Sequence, residues 1–278
     1  MKQQLNKILT LIILFFVGIP LACAEHLPIW EVHAGLASLR VPHYRGSASY
    51  NNLILPFPVV VYRGERLKID DGRVRGLLFT SELVNLDISL AGSLPASPDD
   101  NSAREGMPQL DPTIEVGPSL NALIWQSKNQ NTRLSVEFPV RLALSVNTSN
   151  FNLKDRGLTF APVVSIKHNY ADWKGELAFG SSYASRRYHN YFYTVADEYA
   201  TATRSVYQAT KGNSGSHITL SMSKHFEKLS VIGFARFDWL SKATFIDSPL
   251  IERNNNLNIG FIVTWRVAES KYSSKHPN

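Results

Sequence analysis

Four histidines lie in segments that alternate in polarity, and they are the residues best suited to act as a general base. His217 is followed at two-residue spacing by Thr219 and Ser221, so a strand would place the three side chains on one face. A hydrolase needs a nucleophile, a base within hydrogen-bond reach and an orienting acid. The same spacing arises by chance wherever a strand faces a polar interior, so we expect no catalytic residues and rank a hydrolase last. The four histidines are His33, His168, His217 and His225.

Metal and cofactor signals are weak throughout the chain. The sequence has no Walker loop, no zinc-ligand spacing and no dinucleotide fingerprint. Asp99, Asp100 and Asn101 form one short acidic run, but a divalent cation requires a spaced set of ligands. We therefore expect no cofactor, no metal site and no nucleic-acid partner.

One long segment, from about 184 to 213, is the best candidate for recognition. With Tyr183 it holds six of the eleven tyrosines of the chain, mixed with arginines. Rigid amphipathic rings beside arginines are common at binding surfaces. The alternative is that these tyrosines belong to an aromatic belt or fold inward as a plug. The candidate recognition residues are Arg186, Arg187, Tyr188, Tyr191, Tyr193, Arg204 and Tyr207.

A fold must hold this loop in place, and the spacing of the hydrophobic residues along the chain indicates the type of fold. Between Arg133 and Val146 apolar residues at even positions alternate with mostly polar ones for fourteen positions. This strand is longer than is usual in globular proteins. A strand with one apolar face and one polar face is typical of a membrane-spanning β-barrel. A slip of one residue would present Arg133, Glu137 and Arg141 to lipid, at roughly 2 to 4 kcal/mol for each basic group near the midplane. A soluble β-sandwich or lipocalin-like barrel is the alternative.

The first residues predict export. Lys2 and Lys7 precede an apolar run over 8–22, which is too short for a helical span of roughly twenty residues. Ala22 and Ala24 are the small residues that signal peptidase reads, so we expect cleavage between Ala24 and Glu25. Cleavage would remove the only cysteine and lower the net charge from +6 to +4, because two lysines leave. The predicted division is a signal peptide over 1–24, an outer-membrane barrel over 25–267 and a polar tail over 268–278.

The two-residue period predicts about twelve antiparallel strands in up-and-down order. Long and short connections mostly alternate between them, as expected for short periplasmic turns and long outer loops. Two short strands within 65–80 would become one bent strand in an alternative count of ten. Five prolines (Pro56, Pro58, Pro118, Pro139 and Pro162) fall inside predicted strands, where each removes a ladder donor, so we expect bulges or bends there. The predicted strands are 29–39, 52–62, 65–70, 73–80, 83–92, 112–125, 132–146, 157–169, 173–183, 214–225, 229–240 and 256–267.

Several segments, taken in order, resemble the MipA/OmpV family of outer-membrane proteins, named after the MltA-interacting protein. The longest is AREGMPQLDPTIEVGP over 103–118, and together the segments cover nearly the whole mature chain. The resemblance implies an outer-membrane barrel without catalytic residues. The other segments are PHYRGS over 42–47, PFPVVVYRG over 56–64, YHNYFYTV over 188–195, RSVYQATKG over 204–212 and SPL over 248–250.

The function that this resemblance implies is a scaffold in the Gram-negative outer membrane. The best-known member holds a murein lytic transglycosylase and a bifunctional penicillin-binding protein at the cell wall, and other members are described as porin-like proteins or surface antigens. We expect those two enzymes as partners, with outer-membrane lipid and lipopolysaccharide around the barrel. A porin-like passive channel or a surface antigen is the alternative. One physical objection is that the periplasmic side of such a barrel offers only tight turns and the termini, whereas a stable interface usually buries about 800 Å² per partner.

Overall fold

A computed structural model describes residues 28–64, 67–70, 73–81, 83–96, 98–147 and 150–271. The predicted cleavage position at Ala24 and Glu25 and the last seven residues of the chain lie outside these ranges.

The described chain is almost entirely β-structure, with one short α-helix, α1, at Arg186–Tyr193. Most strand bounds lie within two residues of the predicted ones, although β13 continues to Glu269 and so includes the first two residues of the expected tail. The strands are β1 (Trp30–Pro42), β2 (Tyr50–Arg63), β3 (Leu67–Asp70), β4 (Arg73–Thr80), β5 (Val84–Ser93), β6 (Thr113–Gln126), β7 (Thr132–Val146), β8 (Leu153–Phe160), β9 (Val163–Tyr170), β10 (Trp173–Ala184), β11 (Gly212–His225), β12 (Leu229–Trp239) and β13 (Asn255–Glu269).

These strands close into one antiparallel barrel. Strands adjacent in sequence are neighbours in the sheet, and β13 pairs with β1 to close it. Segments β8 and β9 lie end to end as one interrupted strand, because β7 pairs with both and β10 pairs with both. Among the described residues the wall therefore has twelve strand positions, which confirms the predicted count of about twelve. The region 65–80 contains two strands, β3 and β4, rather than the single bent strand of the alternative.

The predicted register is confirmed along β7. Phe138, Val140 and Leu142 are exposed on the outer surface, whereas Ala143 and Ser145 are buried on the lumen side. The exposed apolar side chains continue around the barrel and form the surface that contacts hydrocarbon. Trp30 and Trp125 are exposed near one end of the wall, as an interfacial aromatic girdle requires.

The two ends of the barrel differ in the length of their connections. Both described termini and the tight turns, such as 171–172 and 226–228, lie at one end, which is the periplasmic end in barrels of this kind. The opposite, outer end carries the longer connections at 43–49, 94–112, 147–152, 185–211 and 240–254. The expected loop over 147–156 is shorter than predicted, because β8 already begins at Leu153. Within the described part of the chain, no helix is long and apolar enough to cross a membrane.

The strand prolines have three different structural outcomes. At Pro139 and Pro162 the expected break is confirmed: the carbonyl of Pro139 accepts from the N–H of Ala161 at 3.3 Å, beside the interruption between β8 and β9. At Pro118 the ladder between β6 and β7 skips this residue. At Pro56 and Pro58 the expectation of a bulge is wrong, because β2 pairs with β1 without a register shift.

The register yields a matched pair of substitutions in β11. Leu220 is exposed on the outer surface, and its neighbour Ser221 faces the lumen. We expect Leu220→Arg to lower the free energy of unfolding in phospholipid vesicles by about 2 to 4 kcal/mol. Ser221→Arg should cost less than about 1 kcal/mol, because the lumen is wet. Denaturant titration monitored by tryptophan fluorescence measures both, and equal losses would contradict the register.

Candidate functional site

The outer loops fold together over the end of the barrel and form a cap with its own buried apolar core. Members of this core come from four of the connections, so loops that are distant in sequence pack on one another. The buried members are Tyr44, Ala96, Met107, Leu110, Phe192, Tyr193, Val195, Ala209, Leu240, Ala243, Phe245 and Leu250.

Stacked aromatic rings form the centre of the cap. The rings of Tyr193 and Phe245 are 3.6 Å apart and nearly parallel, with an interplanar angle of 8°. His189 meets the same phenylalanine edge-on at 4.9 Å. The hydroxyl of Tyr193 donates to the carbonyl of Arg45 at 3.1 Å, and the hydroxyl of Ser248 donates to the carbonyl of Tyr193 at 2.7 Å. Burial raises the pKa of Tyr193, so its hydroxyl remains a donor at physiological pH.

Two buried arginines bind backbone carbonyls of the cap. Arg204 donates to the carbonyls of Ala103 and Glu105 at 3.0 and 2.9 Å, which ties the 185–211 loop to the 94–112 loop. Arg104 donates to the carbonyl of Phe192 at 3.1 Å and so makes the reverse connection. An unpaired buried carbonyl costs about 1 to 3 kcal/mol, so each guanidinium stabilises the folded loops. Burial is the main reason that the pKa of Arg104 lies below its usual value.

His189 is a fully buried histidine of the cap with both ring nitrogens in hydrogen bonds. Its Nδ1 lies 2.6 Å from the carbonyl of Thr210, which can only accept, so the proton is on Nδ1. Its Nε2 then accepts from the hydroxyl of Ser214 at 2.7 Å. Burial lowers the pKa of His189, so the ring is neutral at pH 7.

The candidate recognition residues differ in burial and form three groups in the structure. Tyr188, Tyr193, Arg204 and Tyr207 pack in or against the cap core, or bind its backbone. Tyr191 is half-buried: its hydroxyl donates to the carbonyl of Asp111, and the guanidinium of Arg156 lies 3.8 Å from its ring centre. Arg186 and Arg187 are exposed, and Arg187 pairs with Asp155. The surface open for recognition is therefore the outer rim, and the recognition role itself stays a prediction.

A groove of about 1320 Å³ runs along this rim. Lys154, Arg156 and Arg186 line it together with the outward-facing apolar residues Leu142 and Leu158. Basic side chains directly above the lipid-facing surface lie at the depth of lipid headgroups.

Directly beneath the cap, the lumen contains a buried charged cluster. Asp238 pairs with Arg45 of the first outer loop at 3.0 Å and with Arg236 on its own strand at 2.9 Å. The amide of Asn258 also donates to Asp238, at 2.9 Å. Because Arg45 belongs to a loop and Asp238 to β12, this cluster fastens the cap to the barrel wall.

The periplasmic end has a different form, because it opens into a vestibule of about 1730 Å³. Glu31 at its wall pairs with Arg63 at 2.6 Å and with His33 at 2.9 Å, and Arg266 lies 3.8 Å away. Lys174 and Lys228 are exposed at the mouth of this vestibule.

The strand histidines have different surroundings in the structure. Nδ1 of His217 has no hydrogen-bond partner, and the ring packs closely on Gly180, where an added Cβ would lie 2.6 Å from Cε1. His168 shares a hydrogen bond with Thr132 at 2.7 Å, and His225 shares one with Ser230 at 2.9 Å. Among the described residues no group of three or more His, Cys, Asp or Glu side chains is placed to hold a metal ion.

Sequence reasoning missed several residues that organise this end of the molecule. Phe245, Arg45 and Asp238 were not selected, because they lie in loops or strands far from the tyrosine-rich segment. A weak signal was present: Asp238 is an acidic residue at a lumen position, where an unpaired charge would be costly.

Comparison with known proteins agrees with this architecture. The family described as "MltA-interacting protein MipA" matches residues 34–267. No curated protein matches at a significant level.

Several solved structures are similar in fold at low sequence identity. An outer-membrane channel from Pseudomonas putida F1 has 9% identity and a TM-score of 0.47, and the match covers 90% of this chain and 100% of the channel. A bacterial polysaccharide outer-membrane secretin has 8% identity and a TM-score of 0.42, with 88% and 100% covered. The CymD monoaromatic hydrocarbon channel has 11% identity and a TM-score of 0.35, with 88% and 90% covered. With TM-scores this low, no functional argument rests on these three proteins.

The buried histidine predicts that acid loosens the cap. In the folded state the pKa of His189 lies below its ordinary value of about 6.5, so below that pH the unfolded loop binds the proton more readily. The stabilisation is therefore complete above about pH 6.5 and is lost as the pH falls towards the folded-state pKa. The positive charge of Arg45 also lowers the pKa of His189.

Hydrogen exchange of residues 186–199, corrected for intrinsic rates, should show more frequent opening at pH 5.5 than at pH 7.5. The strand β7 serves as the internal control and should not respond. His189→Gln should reduce the pH dependence, and the part that remains should come from His43, whose pKa is also lowered by burial. If hydrogen exchange of the cap in the unmodified protein does not depend on pH, the role of His189 in stabilising the cap is contradicted.

Proposed function

We propose, from the premise that this chain belongs to the MipA family, that it is an outer-membrane scaffold whose periplasmic end binds a murein lytic transglycosylase. The family description names an interaction with MltA, and the match spans most of the chain. A bifunctional penicillin-binding protein is the second partner in this proposal. The protein is an outer-membrane β-barrel, so the scaffold would fix these periplasmic enzymes beside the membrane.

The observation that carries the proposal is the contrast between the two ends of the barrel. At the outer end, the loops pack around buried rings such as Phe245, and Arg45 of the first loop pairs with the lumen residue Asp238. Loops packed and fastened in this way disfavour a passive pore. At the periplasmic end the vestibule of about 1730 Å³ adds concave surface to the tight turns. A partner could bury this concave surface together with the turns, towards the usual 800 Å² or so per partner.

A catalytic function has less support. A hydrolytic site needs a base that is hydrogen-bonded both to a nucleophile and to an orienting group. Nδ1 of His217, the histidine followed by Thr219 and Ser221, has no hydrogen-bond partner. In this proposal the activity of the protein is to position other enzymes.

The exposed turn residue Lys228 provides the test of the scaffold. A photo-crosslinking amino acid at Lys228, at the mouth of the vestibule, should capture the transglycosylase or the penicillin-binding protein in intact cells. The same amino acid at Arg186, on the outer rim, is the matched control and should capture neither. Captured proteins are identified by mass spectrometry, and repeated absence of both enzymes at Lys228 would refute the scaffold.

Lipopolysaccharide is the proposed lipid partner at the outer rim. Lys154 and Arg186 would contact its phosphates while Leu142 and Leu158 contact its acyl chains. We expect the double variant Lys154→Ala/Arg186→Ala to bind lipopolysaccharide several-fold more weakly, since each exposed ion pair contributes about 0.2 to 1 kcal/mol. Lys174→Ala/Lys228→Ala at the other end is the control. Native mass spectrometry of the detergent-solubilised barrel measures both, and equal retention in the two variants would contradict this site.

A further inference from the structure

One stretch of the barrel wall lacks a hydrogen-bonded neighbour. β2 pairs with β1 along its whole length, but on its other side only Tyr62 and Arg63 pair with β3. Within the described part of the chain, the hairpin of β3 and β4 has four paired positions, and the pairing of β4 with β5 extends as far as Ile88. Among the described residues, the edges of β2 over 50–61 and of β5 over 89–93 therefore face one another without a paired strand between them.

This gap in the wall is bounded at both ends. On the periplasmic side it ends where Tyr62 and Arg63 pair with β3. On the outer side, the amide of Asn51 donates to the carbonyl of Pro95 at 3.3 Å. From Asn52 to Val60 the free edge runs for roughly 27 Å at the usual rise of a strand. Apolar residues that face outward on both sides, Ile54 and Leu90, place the gap at the depth of hydrocarbon.

The two prolines of β2 lie on this free edge. The N–H of Arg63 donates to the carbonyl of Ile29, next to β1, so odd-numbered amides of β2 point towards β1. Because the register with β1 is continuous, the nitrogens of Pro56 and Pro58 point into the gap. Proline has no N–H to donate, so these residues prevent the edge from accepting a further strand. Addition of a strand from a partner protein is therefore disfavoured at this edge.

The lumen beside the gap is apolar, unlike the polar lumen usual in these barrels. On β2 the lumen-facing residues are all apolar, from Leu53 to Val61, so this strand is apolar on both faces over most of its length. The neighbouring wall continues the surface: the ring of Phe57 covers Gly35 of β1, and Phe234 of β12 covers Gly260 of β13. We call this surface the apolar strip; its members are Leu39, Leu53, Leu55, Phe57, Val59, Val61, Ile232, Phe234 and Ile262.

The wall on the other side of the gap, formed by β5 and the strands after it, is polar towards the lumen. Asn121 donates to Asp87 at 2.6 Å, and Arg141 donates to Ser89 at 2.8 Å. Of the two edges of the gap, the β2 edge therefore carries the apolar strip and the β5 edge is polar. Phe57, Val59 and Val61 also line the periplasmic vestibule, so one continuous surface connects the vestibule with the free edge.

We propose that this gap is a lateral portal through which small apolar molecules pass between the bilayer and the periplasmic vestibule along the apolar strip. Free carbonyls inside hydrocarbon cost several kcal/mol each unless water reaches them. Water from the vestibule satisfies the carbonyls of the β2 edge, while the side chains of the strip provide an apolar path beside it. The cap packs over the outer end, so the route runs sideways through the wall. This portal does not depend on the scaffold function and would operate whether or not an enzyme is bound.

Selective labelling of single cysteines in nanodiscs tests the portal. The chain has one cysteine, Cys23, in the predicted signal, so the mature chain from Glu25 provides a cysteine-free background. Val59→Cys places a thiol on the apolar strip beside the gap. Ser135→Cys is the matched control: it faces the lumen from β7, which is paired on both sides at this residue. A pyrene maleimide dissolved in the bilayer probes the lateral route, and a charged methanethiosulfonate in the buffer probes the vestibule.

The bilayer reagent should modify Val59→Cys at least about tenfold faster than Ser135→Cys, because a hydrogen-bonded wall blocks the lateral route elsewhere. The charged reagent should modify Val59→Cys and Ser135→Cys at similar rates. Ala91→Trp, which adds bulk on β5 at the other side of the gap, should slow bilayer labelling of Val59→Cys to the control rate and leave charged labelling unchanged. Heat-dependent gel mobility confirms that each variant is folded. Equal bilayer rates at Val59→Cys and Ser135→Cys, or no effect of Ala91→Trp, would overturn the portal.

Discussion

A strand inside hydrocarbon has no water to bind its backbone, so every N–H and C=O must find a partner within the sheet. This constraint explains why β13 returns to pair with β1 and why strands next to each other in sequence are neighbours in the wall. It also explains which residues are found where strand pairing stops. The interruption between β8 and β9 lies beside Pro139 and Pro162, and the free edge of β2 carries Pro56 and Pro58. In both places proline has no N–H, so it leaves no unpaired donor at its own position.

Buried backbone groups in the outer cap also need hydrogen-bond partners, but they find them in a different way. Its loops have no ladder, so side chains bind their backbone carbonyls, as Arg104 and Arg204 do. Aromatic packing around Phe245 then excludes water, as in the core of a soluble domain. The result is a barrel with a packed cap that Asp238 fastens at the outer end and a vestibule at the periplasmic end. A membrane-embedded scaffold and a lateral route for apolar molecules are compatible within this arrangement, because they use the turn surface and the wall respectively.

The strands were predictable to within a few residues because their two faces meet opposite media. Along β7 a slip of one residue would expose Arg141 to lipid, so the two-residue period of the sequence carries the register directly. The cap was not predictable in this way. Its loops have no period, and the contact of Tyr193 with Phe245 joins residues from two separate loops. The sequence singled out the tyrosine-rich segment as a candidate for recognition, but its composition did not distinguish a surface that binds a partner from a buried core of packed loops.

The sequence by itself determined the strand period, the alternation of turns and loops and the position of the lipid-facing residues, because these are local consequences of one chain crossing one bilayer. Family membership was also readable from ordered short segments, and the family match over 34–267 agrees with it. Tertiary structure alone decided which loops pack together, which charges meet in the lumen and which strand edge stays free. These features depend on closure of the barrel, which brings Arg45 to Asp238 and leaves the edges of β2 and β5 facing one another beyond the paired positions of β3 and β4.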